Sequence, residues 1–330
     1  VTAFLFGYDF DRYFSDPAYY VEQTLRQKLW RFENIEDDAP IVAEMPAWLG
    51  YYPEYTFLGM DVRVDAQGVA IIQQDHPLTR APDLSFLAPV DFKTSGWMPR
   101  ILGWYEAIQR VVAGRLPVPF GMNWWRGGLD LAIQLRGYDR FVLDTIERPE
   151  FVRGLLGFLT EQRCRWFEQY YRHFGLPVQP TNIGDDWLNA PFISPGLFEE
   201  FVLPGYLAIE RYHGAITGIH SCGNQAPFQR LMLRIRSLNH YEVSPWTDLQ
   251  ESLRNLPPDK ALNIDLNPTE LFHADEPALR AKLRGIADAC AGRAYSISAG
   301  LSLIAASRAD YIERLRRIAG VANEVFGKAL

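Results

Sequence analysis

From about residue 115 onward, short apolar runs alternate with longer stretches whose apolar residues recur at helical spacing. Glycine or polar residues close each run. Such alternation predicts strand–helix units and therefore a parallel sheet. Residues 117–125 read as a strand, followed by helical patterning through Leu129, Ile133 and Leu135. A longer helix is predicted over residues 149–173, with Pro149 in the first turn, where a missing N–H costs nothing. Residues 178–183 form the next expected strand, closed by Gly184-Asp185-Asp186. Ser194-Pro195 reads as an N-cap and N1 pair that opens a helix through Glu199, Phe201 and Leu203. Pro204 falls inside that helix and predicts a kink. Further strands are expected at residues 215–220, 238–243, 261–265 and 294–298, and a last helix over residues 308–326.

Five to six strand–helix units are clear on this reading, so a closed barrel must draw its first strands from residues 1–115. Residues 41–45 are the best candidate. Residues 62–72 read instead as a hairpin that turns near Gln67-Gly68 and lies outside the barrel. The expected fold is of the α/β class, a (β/α)8 TIM-type barrel with an N-terminal excursion. It is expected to be one domain over residues 1–330, with the first strands and the excursion in 1–115 and the main units in 116–330. A chain of 330 residues suits one such barrel, and no repeat or low-complexity linker divides it.

Composition narrows the function classes. With 48% hydrophobic and 22% charged residues, the chain is neither disordered, collagen-like nor a coiled coil. Lys and Arg number 33 against 40 Asp and Glu, a net charge of −7 with no basic block, which argues against a nucleic-acid partner. Arg230, Arg234 and Arg236 stand at helical spacing and read as a solvated face. Cys164, Cys222 and Cys290 are too few and too odd in number for a disulfide scaffold, so a reducing, cytoplasmic setting is expected. No apolar run approaches the roughly 20 residues of a membrane span. Asp9, Asp11 and Asp16 break up the opening stretch, so neither a membrane nor a signal peptide is expected. Aromatic residues reach 14%, more than an ordinary core requires. They fill a bulky core or wall a pocket for a flat ligand.

Parallel barrels place their chemistry at the C-terminal ends of the strands. Here those ends read Asn123-Trp124-Trp125-Arg126, Asp185-Asp186-Trp187, His220-Ser221-Cys222-Gly223-Asn224, Glu242 to Trp246, Asp265-Leu266-Asn267 and Ser298-Ala299-Gly300. A His and a Cys two apart at a strand end project to one side and can share one metal ion, both being good zinc ligands. The plainer alternative is a core cysteine beside a hydrogen-bonded histidine. Asp185 or Asp186 can serve as an acid, cap a helix or pair with an arginine. Trp124, Trp125, Trp187 and Trp246 are candidate pocket walls, with Trp48, Tyr51, Tyr52 and Tyr55 as a rim. Arg126 and Asn224 are further candidates for holding a substrate.

The run His220-Ser221-Cys222-Gly223-Asn224, preceded by Ser194-Pro195, Phe198-Glu199-Glu200-Phe201 and Pro204, resembles the uroporphyrinogen decarboxylase superfamily. It is closest to the cobalamin-dependent methyltransferase branch. Asn263-Ile264-Asp265-Leu266-Asn267-Pro268 is a weaker relative of another block of that family. The resemblance covers most of the chain from about residue 115. It implies a barrel with its site at the strand ends, and a zinc ion held by His220, Cys222 and a second cysteine at the last strand. That position falls in Ser298-Ala299-Gly300, which has no cysteine, so the thiol-activating set is incomplete. A carboxylate such as Glu242, Asp185 or Asp265 is an acceptable replacement and leaves the ion a stronger Lewis acid. The arginines that a porphyrinogen would need are missing from residues 35–52, and Arg26 and Arg31 read as solvated.

The leading expectation is a methyltransferase that moves a methyl group from a small methylated substrate, a methoxy-aromatic compound, to the cobalt of a corrinoid protein. Zinc on His220, Cys222 and Glu242 polarises the leaving oxygen, or Asp185 or Asp186 protonates it, with Asp265 also at the strand ends. A carboxy-lyase acting on a non-porphyrin acid, and a non-catalytic corrinoid- or tetrapyrrole-binding protein, are the alternatives.

Overall fold

The structure, a computed structural model, describes residues 5–50, 52–64, 70–73, 75–299 and 307–327. Its longer elements begin with α1 (Pro17–Asn34), β1 (Val62–Val64), β2 (Ala70–Ile72), α2 (Met98–Val112), α3 (Gly128–Arg136) and α4 (Tyr138–Glu147). Next come α5 (Pro149–Phe174), β3 (Thr181–Gly184), α6 (Leu203–His213), β4 (Ile216–His220) and β5 (His240–Val243). The chain continues through α7 (Leu249–Asn255), β6 (Ala261–Leu266), α8 (Glu276–Ala289), β7 (Tyr295–Ala299) and α9 (Arg308–Phe326). The expected α/β alternation is present from the helix Pro149–Phe174 onward; before it, two helices, α3 and α4, follow residues 117–125, where a strand was expected to open the series. No helix among the described residues is long and apolar enough to cross a membrane.

The chain divides into two compact units, one of Val1–Leu49, Gly103–Gly121 and Asp265–Leu330, the other of Gly50–Leu102 and Met122–Ile264. No change of composition marks the division, because each unit is assembled from segments far apart in sequence.

In the first unit, α8 packs on α9, and Leu5, Phe272 and Tyr311 form a buried cluster flanked by Ile312, Leu315 and Ile318. Residues 41–45 and 117–125 do not form full strands. Met45 and Ala47 donate to the carbonyls of Pro117 and Pro119 at 2.9 and 3.1 Å, and Gly121 donates back to Ala47 at 3.2 Å. Two prolines in five residues lack the N–H groups that a ladder needs, so only a parallel bridge between Ala47 and Phe120 survives.

In the second unit, β3 and β4 pair in parallel with Gly184 opposite His220, and β5 pairs in parallel with β6. Strand β4 lies beside β5. Gly184 also exchanges backbone bonds with Trp125 at 2.9 Å and Gly127 at 2.7 Å, which extends the parallel order. No continuous ladder closes a barrel among the described residues. The hairpin is present as an antiparallel pair, Val62 opposite Ile72. Its expected turn at Gln67-Gly68 lies outside the described residues, as do Tyr51 and Gly300.

Ser194 caps its helix by accepting from the Leu197 N–H at 3.1 Å, with Pro195 at N1. The expected kink takes the form of a π-helical turn over Phe198–Val202, in which Leu203 donates to the Phe198 carbonyl. Pro204 next to it has no N–H to give and its ring crowds the carbonyl four residues back, so the helix widens by one residue. The aromatic excess is in good part core: Phe57, Phe92, Trp124 and Trp166 are buried, with ring centroids 5.1–6.2 Å apart between Phe92 and Trp166, Phe57 and Trp124, and Phe57 and Trp166.

Candidate active site

The parallel register of β3 and β4 sets Gly184 beside His220, so the residues that follow, Asp185-Asp186 and Ser221-Cys222, leave the sheet together. Asp185 N–H donates to the His220 carbonyl at 2.9 Å and locks the two strand ends. Beyond the lock, three atoms that could hold a metal ion face one another. His220 Nε2 lies 3.4 Å from Cys222 Sγ and 3.4 Å from Asp186 Oδ1, and Cys222 Sγ lies 3.3 Å from the same Asp186 oxygen. A tetrahedral ion with bonds of about 2.0–2.3 Å spaces its ligands roughly 3.3–3.6 Å apart, so this triangle has the dimensions of one face of a zinc site. Its three members leave a fourth position open, the pattern of catalytic rather than structural zinc.

Glu242, expected as a ligand, stands behind the histidine in this arrangement. Its Oε2 binds His220 Nδ1 at 2.7 Å. A carboxylate on the far nitrogen fixes ring orientation and leaves Nε2 to face the other two groups. Burial would lower the His220 pKa, but the hydrogen bonds to Cys222 and Glu242 and the Glu242 charge outweigh it and raise it to about 10. The same anionic surroundings would favour a bound cation. Trp125 stacks on the imidazole at 5.4 Å and 26°.

The two aspartates diverge sharply. Asp185 is fully buried and accepts from the N–H groups of Leu129 and Asp130 at 3.2 and 2.7 Å and from Tyr206 at 2.8 Å. It therefore ties down the start of α3. Burial first, then the nearby Asp130 charge, raise its pKa well above the usual carboxylate range. Asp186 is part-exposed, and its Oδ2 receives Arg126 Nη1 at 2.5 Å. Burial would raise its pKa, but the Arg126 charge and hydrogen bond hold it below the ordinary value. An acid at the site needs a proton and access; Asp185 has no access, and Asp186 is held ionised. Asp265 belongs to the other unit, where Ser298 of β7 donates to it.

Of the aromatic candidates, Trp124 is corrected to a core residue, 0% exposed against Phe57. Tyr55 is likewise buried, and Trp48, in the first unit, packs against Phe14. Trp246, 67% exposed, lines a cavity of about 490 Å³ with Asn189, Ala190, Phe192, Cys222, Gly223 and Asn224. Trp187 supports this wall, stacked on Tyr138 at 5.0 Å and edge-on to Phe192 at 5.3 Å. Asn224 spends its side-chain oxygen on the Ala226 N–H at 3.0 Å and shapes the turn.

Sequence reasoning missed Glu54, Asp130 and Tyr206. Asp130 was findable, since it stands four residues after Arg126 at the opening of a predicted helix, where an acidic and a basic side chain meet. Glu54, buried, accepts the Arg126 N–H at 2.7 Å across 72 residues of sequence, and nothing local announces it.

Residues 53–319 match the family model described as uroporphyrinogen decarboxylase (URO-D). The chain belongs to this family. A solved structure of a methyltransferase from Methanosarcina mazei superposes on the URO-D-family chain with a TM-score of 0.68 at 15% identity, covering 98% of this chain and 90% of that one. At that identity the likeness speaks for the fold. A comparison with curated proteins finds no match.

One glycine in this URO-D-family site has a demanding place. A Cβ on Gly184 would land in the indole of Trp125, which itself rests on His220. Gly184→Ala is therefore expected to cost about 1–3 kcal/mol through overpacking. The unfolding midpoint in urea, read by tryptophan fluorescence, checks this; an unchanged midpoint with an unchanged folded spectrum refutes it.

Proposed function

We propose that this URO-D-family chain is a methyltransferase that takes a methyl group from a small methoxy-aromatic substrate and passes it to the cobalt of a corrinoid carried by a partner protein. The observation that carries this reading is the triangle of His220 Nε2, Cys222 Sγ and Asp186 Oδ1, with Cys222 itself in the wall of an aromatic cavity. The likeness to a methyltransferase and the family's barrel scaffold support it, and we read the chain as one (β/α)8 domain with its site at the strand ends. Among the described residues the cavity lining holds no basic side chain, which disfavours a polycarboxylated porphyrinogen.

When bound, the ion supplies Lewis acidity toward the leaving oxygen, and the partner's reduced cobalt supplies the nucleophile. The chain's own residues do the rest. Phe192 and Trp246 hold a flat ring and exclude water from one end of it. His220, Cys222 and Asp186 are the residues that would hold the ion; Glu242 orients His220 through Nδ1.

The test incubates the purified protein with zinc, reduced cobalamin and a panel of methoxy-aromatic compounds, with methylcobalamin followed by absorbance. Methylcobalamin formation supports the reading. Carbon dioxide release from a non-porphyrin acid without methyl transfer would replace it with the carboxy-lyase, and tight cobalamin binding without turnover would replace it with a binding protein. Trp246→Ala is expected to raise KM roughly tenfold with a smaller change in kcat, the loss of one ring–ring contact of about 0.5–1.5 kcal/mol plus buried area. A fall in kcat at constant KM would contradict the assignment of Trp246 to ring binding.

A further inference from the structure

Resting on the metal-dependent reading above, we propose that Asp186 is the third ligand of a mixed nitrogen–sulfur–oxygen cation site and that Arg126 is the positioning residue that sets which oxygen it offers. Asp186 is held through both its side chain and its backbone. Its Oδ2 is clamped by Arg126 Nη1 at 2.5 Å, and its backbone carbonyl accepts from Ser221 Oγ at 3.2 Å and Asn189 Nδ2 at 2.5 Å. Only Oδ1 is left to face His220 and Cys222. A carboxylate with one oxygen committed to a guanidinium is a one-oxygen donor in a fixed direction.

Arg126 is in turn overdetermined. The nitrogen that clamps Asp186 also binds Asp130 Oδ2 at 2.5 Å, and Asp130 Oδ1 accepts the Trp187 N–H at 3.0 Å. The Arg126 guanidinium lies over the rings of Tyr52 at 4.6 Å and Trp125 at 4.8 Å, and its backbone N–H is held by Glu54. The chain Glu54–Arg126–Asp130 is buried and reaches no ligand atom itself. It orients a ligand from outside the ligand set, as outer-shell groups do in metal sites. Trp125 joins the two halves, since it sits under Arg126 and against His220.

The set contains one sulfur, that of Cys222. A single sulfur beside nitrogen and oxygen makes the site harder than a two-thiolate site and lowers its preference for the softest ions. The site is built for zinc or cobalt, with weak discrimination in favour of cadmium.

The experiment titrates the full-length, metal-stripped protein with Co²⁺ and Zn²⁺ and reads stoichiometry, affinity and the visible and near-ultraviolet spectrum. The wild type is expected to bind one Co²⁺ with a single thiolate charge-transfer band that Cys222→Ala removes. Asp186→Asn, part-exposed and tolerant of change, is expected to weaken Co²⁺ and Zn²⁺ by more than about 100-fold, beyond the loss typical of an outer-shell partner. Asp186→Cys should restore binding, add a second thiolate band and shift preference toward Cd²⁺. Arg126→Lys, which keeps the charge but, being shorter, draws the nitrogen back from the Asp186 oxygen, should weaken binding by about 10–100-fold and alter the d–d bands with the fold intact by circular dichroism. Wild-type affinity and spectrum in Asp186→Asn, with binding lost in His220→Ala, would overturn this inference and leave the metal reading standing. No Co²⁺ or Zn²⁺ bound by the wild type would overturn both.

Discussion

If the proposed site holds zinc, His220→Ala is expected to abolish zinc binding at physiological concentrations and, with it, the proposed methyl transfer. The imidazole is the hub of the site: Nδ1 is bound to Glu242 at 2.7 Å, and Nε2 faces both Cys222 and Asp186 at 3.4 Å. Removing it leaves two ligands and leaves Glu242 with nothing to orient. Loss of an outer-shell partner alone costs about 10–100-fold in affinity, so loss of the hub is expected to exceed about 100-fold, or roughly 2.7 kcal/mol. Elemental analysis of the purified variant and calorimetric zinc titration check this. Full zinc occupancy in His220→Ala would remove His220 from the ligand set. The fold should survive, because His220 lies at a strand end and is part-exposed rather than packed in the core.

Asp185→Ala has the opposite profile, a large loss of stability that is not specific to the metal. The substitution strands three donors, the N–H groups of Leu129 and Asp130 and the Tyr206 hydroxyl, all buried. At about 1–3 kcal/mol for each unsatisfied group, with partial relaxation, the expected cost is about 3–6 kcal/mol. That is a large share of a typical total of about 5–15 kcal/mol, so much of the protein should be unfolded or insoluble at growth temperature. Asp185→Asn keeps the shape and one acceptor and should lose far less. The pair of variants also carries a pH prediction. Burial raises the Asp185 pKa, so the folded chain holds a proton that the unfolded chain releases above about pH 4. Stability from this group is therefore fully present at acid pH and declines as pH rises toward the folded pKa. Between about pH 5 and about pH 8 the urea midpoint of the wild type should fall relative to that of Asp185→Asn. Parallel profiles for the two proteins would show that Asp185 is ionised in the fold.

How far the site was legible from the residues depends on how local its determinants are. His220 and Cys222 share one strand end, and the two-residue period of a strand puts them on one side, so their pairing needs no tertiary information. Asp186 was visible as a strand-end acid, but its partnership with them was not, because it rests on the parallel register that sets Gly184 opposite His220. Glu242 shows the same limit. A strand-end carboxylate gives no sign from its residue type of what it touches, and only the fold sets Glu242 Oε2 on His220 Nδ1, the nitrogen away from Cys222.

The aromatic residues show where residue type stops being informative. Trp124 and Trp125 are adjacent and chemically identical, yet one packs in the core against Phe57 and the other stacks on His220. Trp246 and Phe192 face a cavity that neither residue's neighbours predict. Residues 117–125 looked like a strand by apolar content, yet Pro117 and Pro119 reduce them to carbonyl acceptors for Met45 and Ala47. A weighting of proline N–H loss against apolar content would have corrected that reading from the residues alone.

The sequence by itself determined the element order from residue 149 onward, the cap at Ser194, the local distortion of the helix before Pro204 and the His220–Cys222 pair. All of these are set by spacing, side-chain type or the absence of an N–H within a few residues. Only the tertiary structure decided that Asp185 is a buried helix tie and that Asp186 is paired with Arg126 and faces His220 and Cys222. These neighbours differ because burial dominates at Asp185, whereas at Asp186 it is outweighed by Arg126, 60 residues away in sequence. A carboxylate's charge state and direction are properties of its surroundings, and those surroundings exist only once the chain has folded.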